Sequence, residues 1–595
     1  MLNLFEKNIK FFYTNLPQYY KLIIKIKKNH KIQNDNLINI YTNEKIYPNS
    51  ITKDSIKIAT NPLNNPLWEK DALTVIPINW NKKFKYTAKA INYLTNEAKK
   101  LPSYNENLKF NKKFLPTTII CGLLSGKFLD ILVKNHTFHS LFVYEPNPEF
   151  FAISLYFVDY EYIYKKLKDR FFLWVNGEID YFAIEKFFYE RIITSSLINL
   201  SYTAYNHPLI EDAKEKFNQV RVSKYRGWGT FEDEYKGVTN HLKNLNKYKT
   251  FIKGKNLNIP VCIIANGKSL EDSIEFIKKN KDSMILISVG TAIKPLLKEN
   301  IQSDFHIEQE RIDLLKDILK EPLKNYNGYF LGASVVNYEV FKYAKNPLMY
   351  IREGFCLENE FRLIGSSPIV GNAGFAFGAS ISNEIYLCGM DLGFRLNQKQ
   401  HAKNSFYDDK EDIQTKGIKT KGNFSDDIYT DSLLLSSKLK IETMIKALNL
   451  KVYNLSDGAY IKGSIPLKDK TLPPINKKEY IKKILSNFKQ TNIKIDSLNL
   501  EIVLDKIEKS FINKEIKDIK ELTGIIDFLE DILKNSNIAE IKMLKGSLYH
   551  YLFNLYLLSH KLSFKDTQKL LKKIKLKKFF PSYIHSNNLS TSFTS

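Results

Sequence analysis

The sequence predicts an α/β protein, and three observations over its 595 residues carry that prediction. A strand, glycine turn, helix and strand follow one another between Thr117 and Tyr144. A second series of apolar strand candidates, separated mostly by helix-length polar or amphipathic stretches, runs from Val261 to Leu455. After Leu467 helical periodicity takes over and no convincing strand follows. These features divide the chain into an N-terminal α/β domain with a Rossmann-like unit (1–235), a central α/β domain (236–468), an all-α domain (475–580) and a polar tail (581–595). The length exceeds that of a single domain several times, and 44% hydrophobic content with 13% aromatics is enough for more than one core.

In the first unit the run Thr118-Ile-Ile-Cys121 leads into a turn framed by Gly122 and Gly126, and Leu141-Phe-Val-Tyr144 ends at Glu145-Pro-Asn-Pro148. Glycines in such a turn let the backbone approach a ligand, and a carboxylate ending the second strand can accept from a ribose hydroxyl. The middle glycine of the dinucleotide fingerprint is missing here, so a nucleotide site and a scaffold with an empty pocket both stand.

The central series predicts strands at Val261–Ala265, Met284–Val289, Asp304–Glu308, Tyr329–Gly332, Glu384–Cys388 and Lys451–Leu455. Alternation with helices implies a mostly parallel sheet, whose ligands bind beyond the carboxyl ends of the strands. Three clusters occupy those ends. The turn Ala265-Asn-Gly-Lys-Ser-Leu270 opens a helix for which Ser269 is expected as the N-cap, with Asp272 completing a capping-box pattern. Gly267 permits close approach and Asn266 both donates and accepts, so a phosphate or sugar fits this helix start. Gly371 and Asn372, at the start of a small-residue helix, form the second cluster. The third is Gly389-Met-Asp-Leu-Gly393 followed by a polar loop with His401, Lys403, Tyr407, Asp408 and Asp409, reagents suited to group transfer from a nucleotide.

Farther on, Ile512, Ile516, Ile519, Leu522, Ile526, Leu529 and Leu533 are expected to line one face of a long helix, and Leu548–Leu562 another. The lysine run from Lys569 to Lys578 reads as a solvated helix face, with docking to an acidic surface as the alternative.

Composition narrows the function. Met1–Tyr20 carries Glu6, Lys7 and Lys10 and has no signal-peptide pattern, which places the expected protein in the cytoplasm. Leu548–Leu558, interrupted by Asn554, is about half of the ~20 residues a spanning helix needs, so no transmembrane segment is expected. Cys121, Cys262, Cys356 and Cys388 lack ligand or redox spacing and read as reduced core residues. The net charge of +25 is spread over a chain without any nucleic-acid module, which argues against a nucleic-acid partner.

Taken in order, Asn266-Gly-Lys-Ser-Leu270, Ser303-Asp-Phe-His-Ile-Glu-Gln-Glu310, Val370-Gly-Asn-Ala373, Ile385-Tyr-Leu-Cys-Gly-Met-Asp-Leu-Gly393 and His401-Ala-Lys-Asn-Ser405 resemble the motility accessory factor (Maf) family of flagellin glycosyltransferases. The likeness spans roughly residues 115–465, and the unit ending in Glu145-Pro-Asn-Pro148 matches that family's N-terminal domain. The family's central domain is similar to bacterial sialyltransferases. The resemblance therefore implies transfer of a nonulosonic acid, pseudaminic or legionaminic, from its CMP-activated form to Ser or Thr of flagellin, for filament assembly and motility. Lys268 and Ser303 stand where proline is usual, and Gly422-Asn-Phe-Ser-Asp-Asp427 lacks the late histidine of sialyltransferases.

On this reading the donor is expected at Asn266, Gly267, Ser269, Ser288, Gly290, Thr291, Gly371, Asn372 and Asp391. His401 is the expected base, with Lys403 and Tyr407 near the phosphate and Glu308 or Glu310 as alternative bases. No metal or other cofactor is required, and flagellin and the CMP-sugar are the expected partners. Two rivals remain: a pterin pyrophosphokinase needing Mg²⁺ and ATP, and a non-catalytic flagellin-binding protein. The particular sugar, the flagellin-binding domain and the oligomeric state stay open.

Overall fold

A computed structural model describes residues 2–73, 84–226, 228–407 and 413–585. Asp408, Asp409 and the end of the polar tail (586–595) lie outside the described residues. The chain forms two compact units, one of residues 1–230, 500–536 and 545–582, the other of 231–499, 537–544 and 583–595.

The first unit is built on β1 (Trp68–Ala72), β2 (Thr117–Cys121), β3 (Leu141–Glu145), β4 (Phe171–Val175) and β5 (Ile198–Thr203), ordered β1-β5-β2-β3-β4. All neighbours are parallel except β1, which runs antiparallel to β5. Residues of β2 and β3 are buried throughout, because a parallel sheet is covered on both faces. Strand alternation divides them between two cores: Ile120, Leu141 and Val143 enter one, Ile119, Phe142 and Tyr144 the other. Helix α1 (Lys127–Asn135) follows the Gly122–Gly126 turn, and α2 (Ile192–Leu197) precedes β5.

The second unit carries an eleven-stranded sheet. Its strands are β6 (Thr250–Phe251), β7 (Pro260–Ile264), β8 (Ile285–Val289), β9 (Phe305–Glu308), β10 (Tyr329–Ala333), β11 (Asn346–Arg352), β12 (Glu384–Cys388), β13 (Lys451–Asn454), β14 (Ser464–Pro466) and β15 (Phe488–Lys489). The order is β14-β13-β12-β7-β8-β9-β10-β11-β6-β15, with Arg362–Leu363 pairing on β11. Every pairing is parallel except β6 with β15. All six strands expected in this region form. β11, opened by Asn346-Pro347, and the two- and three-residue strands are additions, too short or too polar at their start for periodicity to register. Helices α3 (Leu270–Asn280), α4 (Ile293–Lys298), α5 (Leu314–Lys324), α6 (Val370–Ile381) and α7 (Ser432–Leu448) connect the strands. β7 lies between β8, which follows it in the chain, and β12, which returns from the far side, so the winding reverses at β7. Such a reversal opens a crevice at the carboxyl ends of the strands.

After residue 475 the described chain is mainly helical: α8 (Glu501–Ile512), α9 (Ile519–Asn535), α10 (Ala539–Ser559) and α11 (Phe564–Leu571). The single long helix expected across Ile512–Leu533 is instead two. Asp518 caps α9 by accepting from the Glu521 amide at 2.8 Å, which starts a new helix. Leu522, Ile526, Leu529 and Leu533 do share its buried face. Short strands also follow Leu467, at Phe488–Lys489, Leu498–Asn499 and Tyr583–Ile584, where none was expected. The lysine run is tied to carboxylates of its own unit: Lys569 to Asp566, Lys573 to Glu97 and Lys577 to Asp505. All four cysteines are buried and free. Among the described residues no helix is long and apolar enough to cross a membrane.

Two carboxylates of α9 fasten it within the first unit. Glu530 accepts from the amides of Ile192 and Ile193 at the start of α2, at 2.5 and 2.8 Å. Asp527 accepts from Arg170 at 2.9 Å and from the Thr194 hydroxyl, with His139 Nε2 3.5 Å away. Burial opposes the charge of Asp527, but these partners hold its carboxyl down at about 2. Asp527→Ala, which removes the partner of half-buried Arg170 and of buried His139, is expected to destabilise the protein by roughly 3 kcal/mol, read as a lower midpoint in urea denaturation with an unchanged slope.

Candidate active site

The crevice at the β7 reversal gathers most of the expected residues, though not in the roles first assigned to them. The turn after β7 crosses close beneath the segment after β12: the Gly267 amide donates to the Gly389 carbonyl at 2.8 Å. A side chain at Gly267 would begin 2.4 Å from Asp391 Cγ, so only glycine fits this crossing. Asp391 accepts from both the amide (3.1 Å) and the hydroxyl of Ser269. The expected capping box is therefore replaced. Ser269 has helical backbone angles and no capping bond of its own, and the acceptor for the start of α3 arrives from residue 391. Burial raises the Asp391 carboxyl to about 6 even though the Ser269 bonds pull it down. Ser269 and Asp391 thus shape the turn, and their polar atoms are used inside the protein.

Asn266 is different. Its Nδ2 donates to Thr291 Oγ1 at 2.7 Å, linking the ends of β7 and β8, while its Oδ1 is buried without a hydrogen-bond partner. A buried amide oxygen left in this way costs about 1–3 kcal/mol unless something donates to it, which marks the position for a ligand hydroxyl or amine. Thr291 uses its oxygen as acceptor, leaving its hydroxyl proton to donate.

The end of β9 contributes Glu308, which is 2% exposed. Its Oε1 would lie 3.9 Å from a Cβ on Gly290, so it faces the same end of β8. Burial, with Glu310 adding like charge, raises Glu308 to about 8. Behind it, His306 Nε2 stands 4.0 Å from Glu308 Oε1 and has no hydrogen-bond partner. Burial drives His306 down to about 3, so the ring is neutral and the pair is not an ion pair. Ser288, expected at the donor, is fully buried beneath, its hydroxyl bonded to Ser303 (2.7 Å) and to His306 Nδ1 (2.9 Å). It serves the support of His306 and does not line the crevice.

α6 points its start at the same edge, since Gly290 meets Val370 and Gly371 meets Met390. Gly371 is itself buried against Met390, whose sulfur would lie 2.9 Å from a Cβ there. Asn372, also expected at the donor, is fully buried and directs its amide to α7, accepting from Ser437 Oγ (2.7 Å) and donating to the Ser437 carbonyl (3.1 Å).

The loop after β12 forms the other wall. The Lys268 amide donates to the Gln400 carbonyl (2.9 Å) and the Ala402 amide to the Asn266 carbonyl (3.2 Å), which lays His401 against Gly267. Tyr407 stacks on His401 with ring centroids 4.5 Å apart. Its phenol is raised by burial and, to a lesser degree, by the charges of Glu308 and Glu310. Glu310 itself is exposed. Lys403 departs from expectation: its amide and ammonium both turn to Glu271, and the side chain is 72% exposed. His401, Tyr407, Glu308, Asn266 and Thr291 are thus brought together across 141 residues of sequence, from 266 to 407.

In the first unit the nucleotide reading of the Rossmann-like turn meets an obstacle. Tyr205 packs over Gly122, where a Cβ would lie 2.7 Å from the ring, and its hydroxyl donates to Glu145. Glu145 also accepts from the Leu123 amide (2.6 Å) and the Asn147 amide (2.8 Å), and burial raises it to about 7. The carboxylate that would hold a ribose is filled from within the protein. Sequence reading had no signal for Tyr205, which arrives 60 residues later.

Comparison with known proteins agrees with this architecture. Residues 4–225 match the family model of the glycosyltransferase Maf N-terminal domain, and residues 236–397 match that of 6-hydroxymethylpterin diphosphokinase MptE-like proteins. A solved structure, the Maf glycosyltransferase from Magnetospirillum magneticum AMB-1, is similar with a TM-score of 0.67 at 19% identity, covering 97% of this chain and 94% of that one. No curated protein sequence matches.

Proposed function

We propose that the chain is a Maf-family glycosyltransferase, on the match of residues 4–225 to that family's N-terminal domain, and that it moves a nonulosonic acid from a CMP-activated donor to a Ser or Thr hydroxyl of flagellin. The observation that carries the reading is the crevice in which an orphaned buried amide (Asn266), a free hydroxyl proton (Thr291), a helix start (α6) and a carboxyl raised to about 8 (Glu308) converge. Asn266 Oδ1 receives a hydroxyl or amino group of the nucleotide, and Thr291 donates to its phosphate. The partial positive charge at the start of α6 meets the phosphate as the bond to the sugar breaks.

In the chemical step the acceptor oxygen bonds to the anomeric carbon, the carbon–phosphate-oxygen bond breaks, and CMP departs with the electron pair. The hydroxyl proton passes to Glu308. A carboxylate with a raised pKa is a stronger base than an ordinary one, and its burial keeps water from competing. His401 and Tyr407 close the crevice from the loop side, Tyr407 within reach of the charge around Glu308. Lys403, held at Glu271, takes no part.

Flagellin incubated with the purified protein and a CMP-nonulosonic acid tests the reading: a mass increase equal to one sugar residue is expected, and an unchanged mass sinks it. Asn266→Leu keeps the volume but removes the amide, and is expected to weaken CMP binding by about 10- to 100-fold in calorimetry, with the fold intact by circular dichroism. The match of residues 236–397 to the pterin diphosphokinase-like model favours one second reading, diphosphate transfer from ATP to a hydroxymethylpterin. Release of AMP from Mg²⁺-ATP in the presence of that pterin, abolished by EDTA, is its signature.

A further inference from the structure

Beside the crevice, between α4 and α5, runs an open groove of about 690 Å³ with Phe406 at its lip. Its floor is apolar, formed among others by Leu297, Ile318 and Leu314, the last 49% exposed. Its rims carry opposite charges, Lys294 and Lys298 from α4 facing Asp317 and Glu321 from α5.

The groove is continuous with the crevice. Thr291 lines the groove and also takes the Asn266 amide in the crevice. The loop between them has a side toward each. His401 and Tyr407 face the crevice, while Phe406 meets Tyr407 edge-on (centroids 5.3 Å apart) and lines the groove, and Asn404 accepts from Lys298 at 2.8 Å.

We infer that this groove seats the acceptor polypeptide: an extended segment lies between α4 and α5 with apolar side chains on the floor, and presents its hydroxyl past Thr291 toward Glu308. The inference rests on the transferase reading above. Three features select this occupant. An apolar floor gives a sugar's hydroxyls nothing to bond to, whereas it buries the aliphatic neighbours of an acceptor Ser or Thr. Rims of both signs suit a polypeptide, while a nucleic acid or anionic membrane calls for a uniformly basic surface. Continuity through Thr291 also puts the acceptor within one side chain of the donor phosphate.

The test uses the full-length protein, flagellin and a CMP-nonulosonic acid. Leu314→Asp, at a half-exposed position outside the crevice, is expected to raise the KM for flagellin about tenfold or more while the Kd for CMP stays unchanged. An unchanged KM overturns the inference. If Leu314→Asp also loses CMP binding, the variant has misfolded and the decision passes to the unaltered protein with two synthetic peptides, one with Ser flanked by Leu, the other with Ser flanked by Asn. A lower KM for the first supports the groove, and equal values overturn it. Failure of the unaltered protein to transfer sugar to any acceptor removes the transferase reading itself, a result distinct from either.

Discussion

Glu308→Gln is expected to lower kcat for sugar transfer by about 100-fold or more, while the Kd for CMP changes little. Glutamine preserves the shape of the side chain and its place at the end of β9, but cannot take a proton. The same assignment fixes the pH dependence of the unaltered protein. Burial and Glu310 raise Glu308 to about 8, so below that pH most molecules hold it protonated and unable to act as base. kcat/KM should therefore rise with pH and level off above about 8, and the Glu308→Gln variant should lose that limb. His401→Ala is the paired measurement. If it abolishes transfer and the rising limb while Glu308→Gln leaves both intact, the proton goes to His401 instead.

Gly267→Ala should have the second largest effect. The new methyl would stand 2.4 Å from Asp391 Cγ and 2.6 Å from the Gly389 carbonyl oxygen. Neither neighbour is a flexible chain end: Asp391 is fixed by the Ser269 amide and hydroxyl, and the Gly389 carbonyl by the Gly267 amide. Relief requires the turn after β7 to move away from β12, which costs about 1–3 kcal/mol and breaks the cap of α3. Asn266 and the backbone contacts to His401 ride on this turn, so the loss of stability is accompanied by weaker CMP binding, about tenfold or more by calorimetry. A variant with unchanged melting temperature and CMP affinity would show that the crossing is looser than its geometry.

The pH dependence of stability has its own sign. Asp391 has a folded-state value of about 6, above the ordinary carboxylate range, so burying it is most favourable when it is protonated. Its contribution is present in full below the unfolded value and is lost as pH rises through about 6, about 3 kcal/mol at most for a shift of this size. The Ser269 bonds limit that loss and keep the turn formed at neutral pH.

Much of the second unit was legible because its strands are buried on both faces and read as continuous apolar runs bounded by glycine or polar residues. Asn266, Gly267, Thr291 and Gly371 were legible as the ends of strands and starts of helices for the same reason. Which polar groups the site uses internally was not legible. Ser288, Asn372 and Asp391 have the same local appearance as ligand-binding residues, but each commits its polar atoms to a partner inside the protein: His306, Ser437 and Ser269. The break before α9 was equally hidden, because apolar spacing runs on from Ile512 to Ile519 without registering that one helix ends at Ile512 and that the Asp518 carboxylate starts the next.

The sequence by itself determined the α/β class and the six central strands, which depend on local periodicity. Only the tertiary structure decided which polar groups remain available to a ligand. Burial and hydrogen bonding are settled between residues far apart in the chain: Tyr205 fills Glu145's place in the first unit, Asp391 caps a helix 122 residues earlier, and the loop around His401 folds against Gly267. A side chain's chemistry is fixed by its type, but its pKa and its free valences are set by what the fold packs against it.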